Sequence, residues 1–213
     1  MTQTTTPRFA LPGKWGRINL ATEASTSRSI RKVLDEATNR RDDLASTRAE
    51  LRSRFERAAD SARQGGATDF YVAFNLTPSI PLPAWIAIFT PEIESTDFDA
   101  LGLDKLKEFL DVGTKSWGPE GAGTKSFESG VDGQVHAVRH SWRRVHDVVE
   151  GEVERTFEFV EADYWLAAQH PNRIALLTFS TALADYEPEM LELFDAVVRT
   201  VRWPAPVADA VAE

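Results

Sequence analysis

The sequence predicts an α+β fold, an antiparallel β-sheet of about six strands packed between α-helices, with a long N-terminal helical segment. Three observations predict it. Residues 125–181 read as a β-meander, with turn residues punctuating runs of alternating hydrophobicity. Residues 28–63 carry apolar side chains at alternating spacings of four and three. Residues 187–201 repeat that helical spacing after the last strand.

The elements follow in order. Residues 1–8 are polar and predicted disordered, and a single domain over 9–203 leaves 204–213 as a flexible tail. Trp15–Leu20 can open the sheet as an edge strand, and Ser25-Thr26-Ser27 offers N-caps for the first helix. Over 28–63 the stripe runs Ile30, Leu34, Ala37, Arg41, Leu44, Arg48, Leu51, Phe55, Ala58 and Ala62. Arg41 and Arg48 interrupt it, so the helix is expected to break near Arg40–Asp43. Gly65-Gly66 then stops it, because glycine takes the left-handed position that closes a helix. Phe70–Phe74 and Trp85–Phe89 read as strands. The three prolines between Thr77 and Pro83 are expected to keep that connection out of the ladder. Phe98–Val112 reads as a helix with Leu103, Leu106, Phe109 and Leu110 on one face.

The turns register the meander. A two-residue turn at Asp132-Gly133 places Phe127 opposite Val138 and Ser129 opposite His136. A turn at Glu150-Gly151 places Trp142 opposite Phe159, Arg144 opposite Phe157 and Arg143 opposite Glu158. Together they put Phe127, Val138, Trp142, Phe157 and Phe159 on the core face, and Arg139, Ser141, Arg143, Glu154, Thr156 and Glu158 on the other. A bulge or bend is expected near Glu161–Asp163. Tyr164–Ala168 then turns at Pro171-Asn172 into Ile174–Phe179, apolar on both faces and therefore central. Met190, Leu191, Phe194, Val197, Val198 and Val201 form the buried stripe of the last helix.

Composition excludes several functions. With 213 residues, 42% hydrophobic and 27% charged, the chain is an ordinary globular protein with enough length for a sizeable core. A net charge of −9 lacks the basic footprint of nucleic-acid binding, and no stretch approaches a membrane span. The absence of cysteine removes disulfides, thiolate metal sites, a cysteine nucleophile and a lipid-modified cysteine. These features, with no secretory leader in the N-terminal residues, point to the cytoplasm.

The search for chemistry returns little. His136 and His140 would share a metal on a helix, but on a strand they lie roughly 13 Å apart. No metal and no cofactor is expected, and His140 is expected to be satisfied by a carboxylate such as Glu161. No G-x-S-x-G elbow is present. The glycine loop Gly118–Ser126 lacks the spacing and the strand-to-helix context of a phosphate-binding loop.

Two docking elements and one pocket remain as candidates. Residues 28–63 carry ten basic and seven acidic residues against 14 and 26 in the remainder, so Arg41, Arg48 and Arg52 form a basic strip able to grip an acidic partner. Ile80 and Leu82 form an apolar pair on the proline-stiffened loop. A protein partner, with homo-oligomerisation as a further option, is expected through these. The alternative is a small-molecule pocket between sheet and helices near His140, Trp142 and Arg143, in a binding protein or an enzyme.

The C-terminal third, Tyr164-Trp165, Pro171, Ile174–Thr181, then Leu191, Phe194-Asp195, Thr200-Val201 and Trp203, resembles the ending of PsbP-like proteins. This superfamily includes photosystem-associated PsbP, DcrB-type lipoproteins and a Ran-binding nuclear import factor. The opening Leu11-Pro12-Gly13-Lys14-Trp15 is similar to that of high-GC bacterial proteins with the same LPG-x-W start. The resemblance implies an antiparallel sheet between helical layers, without catalytic residues, in a binding or assembly factor. The chain departs from it in the 28–63 segment and in lacking a lipobox cysteine, and no functional residues carry over.

Overall fold

The computed structural model describes residues 6–38, 45–91, 103–113, 119–130, 135–150, 153–168 and 173–203. Its elements are β1 (Lys14–Asn19), α1 (Glu23–Thr38), α2 (Ala45–Gln64), β2 (Ala67–Thr77), β3 (Ile80–Pro81), β4 (Ala84–Phe89), α3 (Leu103–Gly113), β5 (Gly123–Ser129), β6 (Val135–Glu150), β7 (Val153–Ala168), β8 (Arg173–Thr181) and α4 (Glu187–Arg199). A 3-10 turn, Ala184–Tyr186, precedes α4. All strand pairings are antiparallel, in the order β1-β2-β4-β8-β7-β6-β5, with β3 on the side of β2.

The α+β class holds, with eight strands rather than about six. One strand beyond those expected lies in the proline loop, where Ile80 and Pro81 pair with Thr77 and Asn75. A two-residue strand at an edge has few ladder bonds for proline to remove. The long helical segment is two helices, α1 and α2, and residues 39–44 between them lie outside the described residues. Helix α1 starts earlier than Ser25. The Ser25 amide donates to Thr22 Oγ1 at 3.1 Å and the Thr22 amide donates to Ser25 Oγ at 3.0 Å, a reciprocal cap that moves the boundary to Thr22.

The sheet has a helical layer on each face. On one, α4 buries Met190, Phe194, Val197 and Val198 against Tyr164, Leu166, Leu177 and Phe179. The rings of Tyr164, Phe179 and Phe194 stack in succession, with centroids 5.1 and 4.7 Å apart. The other face carries two separate bodies. Helices α1 and α2 cover β1, β2 and β4 through Ile30, Val33, Leu34 and Ala59. Helix α3 covers the β6–β7–β8 end through Leu106 and Leu110 against Val138, Ala167 and Ile174. Gly16 allows α1 to sit close to β1, since a Cβ there would lie 2.6 Å from a Val33 methyl. Phe109, expected in the stripe of α3, is 46% exposed.

The registers differ from expectation in an instructive way. Ser129 pairs with Val135, so five residues join β5 to β6, and Phe127 pairs with Ala137. That odd shift moves Phe127 to the α4 face while Val138 stays on the other. Asp132-Gly133 itself lies outside the described residues. In the β6/β7 ladder Trp142 pairs with Glu161, Arg143 with Val160 and Arg144 with Phe159, an even shift that leaves the β6 and β7 faces as expected. The ladder runs without interruption from Val135–Ala168 to Glu150–Val153, so there is no bulge at Glu161–Asp163. Since the pairing of β5 ends at Gly123 opposite Ser141 and that of β8 at Thr181 opposite Val160, residues 142–150 and 153–159 form a two-stranded extension. Phe157, assigned to the core, is 41% exposed there.

Candidate functional site

Register sets the site. Side chains alternate between faces along each strand, and cross-strand partners share a face. On the face opposite α4, one row across four strands reads Trp142, Glu161, Ser180 and Trp85. The next row reads Thr124, His140, Asp163, Thr178 and Ala87. Both rows lie between the α1–α2 body and α3, and Trp165 follows one row further on. An apolar floor would pack such a face at no cost. Here six of the nine positions are acid, imidazole or hydroxyl, which is the informative departure.

The polar groups are unequally satisfied. Glu161 has a side chain only 3% exposed, 2.8 Å from Arg144 Nη2, and it accepts a hydrogen bond from Ser180 Oγ at 3.0 Å. Burial pushes its pKa up against the lowering effect of Arg144 and Ser180. Asp163 accepts one neutral hydrogen bond, from Thr178 Oγ1 at 2.6 Å, and burial raises its pKa too. No cation pairs with Asp163 among the described residues. His140 is 3% exposed, its Nδ1 lies 3.3 Å from Thr124 Oγ1, and its Nε2 is buried without a partner. Burial lowers the His140 pKa, so the ring is neutral at physiological pH.

A second histidine latches α3 to the sheet and so fixes one wall of this region. His136 Nε2 lies 3.1 Å from Asp111 Oδ1, which also accepts a bond from Ser126 Oγ at 3.0 Å. Lys107 reaches Glu128 at 2.9 Å alongside it.

The α4 face holds the contrasting arrangement. Asp195, 2% exposed, receives Lys125 Nζ at 2.7 Å, Arg139 Nη1 at 2.9 Å and Tyr164 Oη at 2.8 Å. Burial alone would raise its pKa, but the bonds from Lys125 and Tyr164 and the charge of Arg139 outweigh it and hold the carboxyl below its ordinary range. Burial, then the nearby Asp195 charge, pushes the Tyr164 hydroxyl strongly up.

The expected pocket residues are partly brought together. His140 and Trp142 share the polar face. Arg143 points to the other, where its Nε lies 2.6 Å from Glu187 and its Nη1 3.4 Å from Glu158, because adjacent strand residues alternate. The pairing of His140 with Glu161 is replaced by Thr124 on one side and Arg144 on the other. Arg41 lies outside the described residues, as does the side chain of Arg48 on α2. Arg52 pairs with Glu56 at 2.9 Å on the helix surface. Ile80 is 50% exposed, but Leu82 is 2% exposed within the main core, so the two do not form an exposed pair. Pro83 carbonyl contacts from Thr181 Oγ1 at 2.9 Å and the Leu82 amide bond to Phe74 fold that loop inward. Neither His146 nor His170 has a described side chain. Among the described residues no group of three or more His, Asp or Glu is arranged to hold a metal. None of the described helices is long and apolar enough to cross a membrane.

Asp163, Thr178, Ser180 and Arg144 escaped sequence reasoning as site residues, and Glu161 was expected only as a partner of His140. The signal was present in Val160-Glu161-Ala162-Asp163-Tyr164, where acids and apolar residues alternate at the strand period.

No family model matches this chain, and no curated protein does. Among solved structures, it is similar to LpqN, described as involved in cell envelope biogenesis of Mycobacterium tuberculosis, at 11% identity and a TM-score of 0.42, over 95% of this chain and 87% of that one.

Proposed function

We propose that the protein is a non-enzymatic binding protein, and that its site is the polar double row on the sheet face between the α1–α2 body and α3. The observation that carries this reading is the buried, unpartnered Nε2 of His140 beside Asp163, its direct cross-strand neighbour. Native interiors rarely leave such groups unpaired, because an unmade hydrogen bond costs about 1–3 kcal/mol. A bound molecule with a hydrogen-bond donor would satisfy both. Titratable groups shifted by burial and clustered on one face are themselves a recognised mark of functional sites. Trp142 and Trp85 close the first row at its ends and supply flat apolar area for the rest of a small ligand. Glu161 is tied up by Arg144 and Ser180, so the two carboxylates do not form an acid/base pair of matched access. The PsbP-like resemblance of the C-terminal third, a superfamily of binding and assembly factors, agrees with a non-catalytic role.

The test is an NMR screen of small polar molecules that follows the imidazole signals. Compounds that move the His140 signal while leaving His136, which latches α3 to the sheet, in place support the reading. A screen in which no compound moves His140 relative to His136 contradicts it.

A further inference from the structure

We propose that this site takes a primary ammonium group, held between the Asp163 carboxylate and the His140 Nε2 atom. The inference rests on the site of the preceding section and names the chemistry of its ligand. The charges of the floor lead to it. Arg144, 2.8 Å from Glu161, neutralises one of the two carboxylates. The other, Asp163, has Thr178 on Oδ1 and no cation among the described residues, which leaves Oδ2 as an acceptor seeking positive charge. An anionic ligand would meet Asp163 unshielded, so the face discriminates against acids.

The hydrogen-bond directions agree. The His140 tautomer that carries its proton on Nδ1, donating to Thr124 Oγ1, leaves Nε2 as a lone-pair acceptor. Its neutral state, enforced by burial, keeps that lone pair available and avoids repelling a cation. Directly opposed residues on antiparallel strands hold their Cβ atoms about 4.5–5.5 Å apart. An ammonium seated between Asp163 and His140 therefore reaches both with two of its three N–H donors. Trp142, next to His140 on the same face of β6, offers a ring to the adjoining alkyl chain and to the cation itself. A hydroxyl group fits the geometry less well, because it donates only once and leaves the carboxylate charge uncompensated.

The experiment titrates n-butylammonium chloride, and separately n-butanol, into the full-length protein near neutral pH at low salt while following His140. We expect n-butylammonium to shift His140 saturably, n-butanol to leave it in place at equal concentration, and Asp163→Asn to weaken the ammonium by about tenfold or more. Should Asp163→Asn not fold, His140→Leu carries the same expected loss, read from the indole signal of Trp142. Equal response to both probes, or an ammonium affinity unchanged by these substitutions, overturns the proposal. A shift by n-butanol alone overturns the ammonium class and leaves the binding site standing. If neither probe moves His140, the ammonium class is overturned, and the wider screen decides the site.

Discussion

Asp195 and Asp163 lie on opposite faces of one sheet, and their surroundings differ in kind. Asp195 collects a lysine, an arginine and a tyrosine, and its carboxyl is held in the charged form. Asp163 receives one threonine hydroxyl, and burial works against its charge without a compensating cation among the described residues. The first arrangement locks α4 to the sheet. The second leaves affinity unspent on a face flanked by two helical bodies. A buried carboxylate is therefore informative through its partners, and the same residue type stabilises one face while burdening the other.

The largest effect expected from breaking the contrast is at Asp195. Asp195→Asn leaves Arg139 and Lys125 without their counter-charge beneath α4 and should cost about 3–5 kcal/mol, read by urea unfolding. A loss below about 1 kcal/mol would mean that the network does not anchor the helix.

Packing beside the same face gives the next largest change. Leu82→Ala removes a 2%-exposed core side chain and should cost about 2–5 kcal/mol, whereas Ile80→Ala, half exposed, should stay within about 0.5 kcal/mol. Comparable losses at both sites would contradict the inward fold of the proline loop.

The pH dependence separates the faces by sign. Asp195 has a lowered folded pKa, so its contribution is present above the ordinary aspartate range and lost as pH falls through the folded value. Glu161 and Asp163 have raised folded pKa values, so the folded state binds protons more tightly than the unfolded chain. Their contribution grows as pH falls from the folded value toward the ordinary one. Asp195→Asn should flatten the acid loss of stability, and Asp163→Asn should deepen it by removing the opposing gain. Identical pH profiles for the two variants would erase the distinction.

The smallest expected effect is at Arg52. Its pair with Glu56 is a solvent-exposed i,i+4 contact, and Arg52→Ala should change stability by about 0.5 kcal/mol or less.

Much of the architecture was legible because it depends on local period. The stripe of α4, the closing glycines of α2 and the edge strand β1 all follow from spacing within one element. Gly66 adopts the expected left-handed conformation at φ 85°. What depends on loop length was not legible. Pairing of Ser129 with Val135 across a five-residue connection, rather than with His136 about a two-residue turn at Asp132-Gly133, turned Phe127 to the other face, since a strand has a period of two and an odd slip inverts it. The candidate site failed for a related reason. The bulge expected at Glu161–Asp163 breaks the row that joins Asp163 to His140, whereas the ladder runs through it without interruption. Asp195 gave no local sign of its role, because its donors lie 70, 56 and 31 residues away.

Equilibrium unfolding of Asp163→Asn beside the unsubstituted protein at neutral pH tests the central claim most directly. If Asp163 serves binding rather than folding, the variant is at least as stable as the parent, by up to about 1 kcal/mol, as expected when a strained functional group is relieved. If the variant instead loses several kcal/mol, as Asp195→Asn should, then Asp163 is a structural residue and the contrast between the two faces fails.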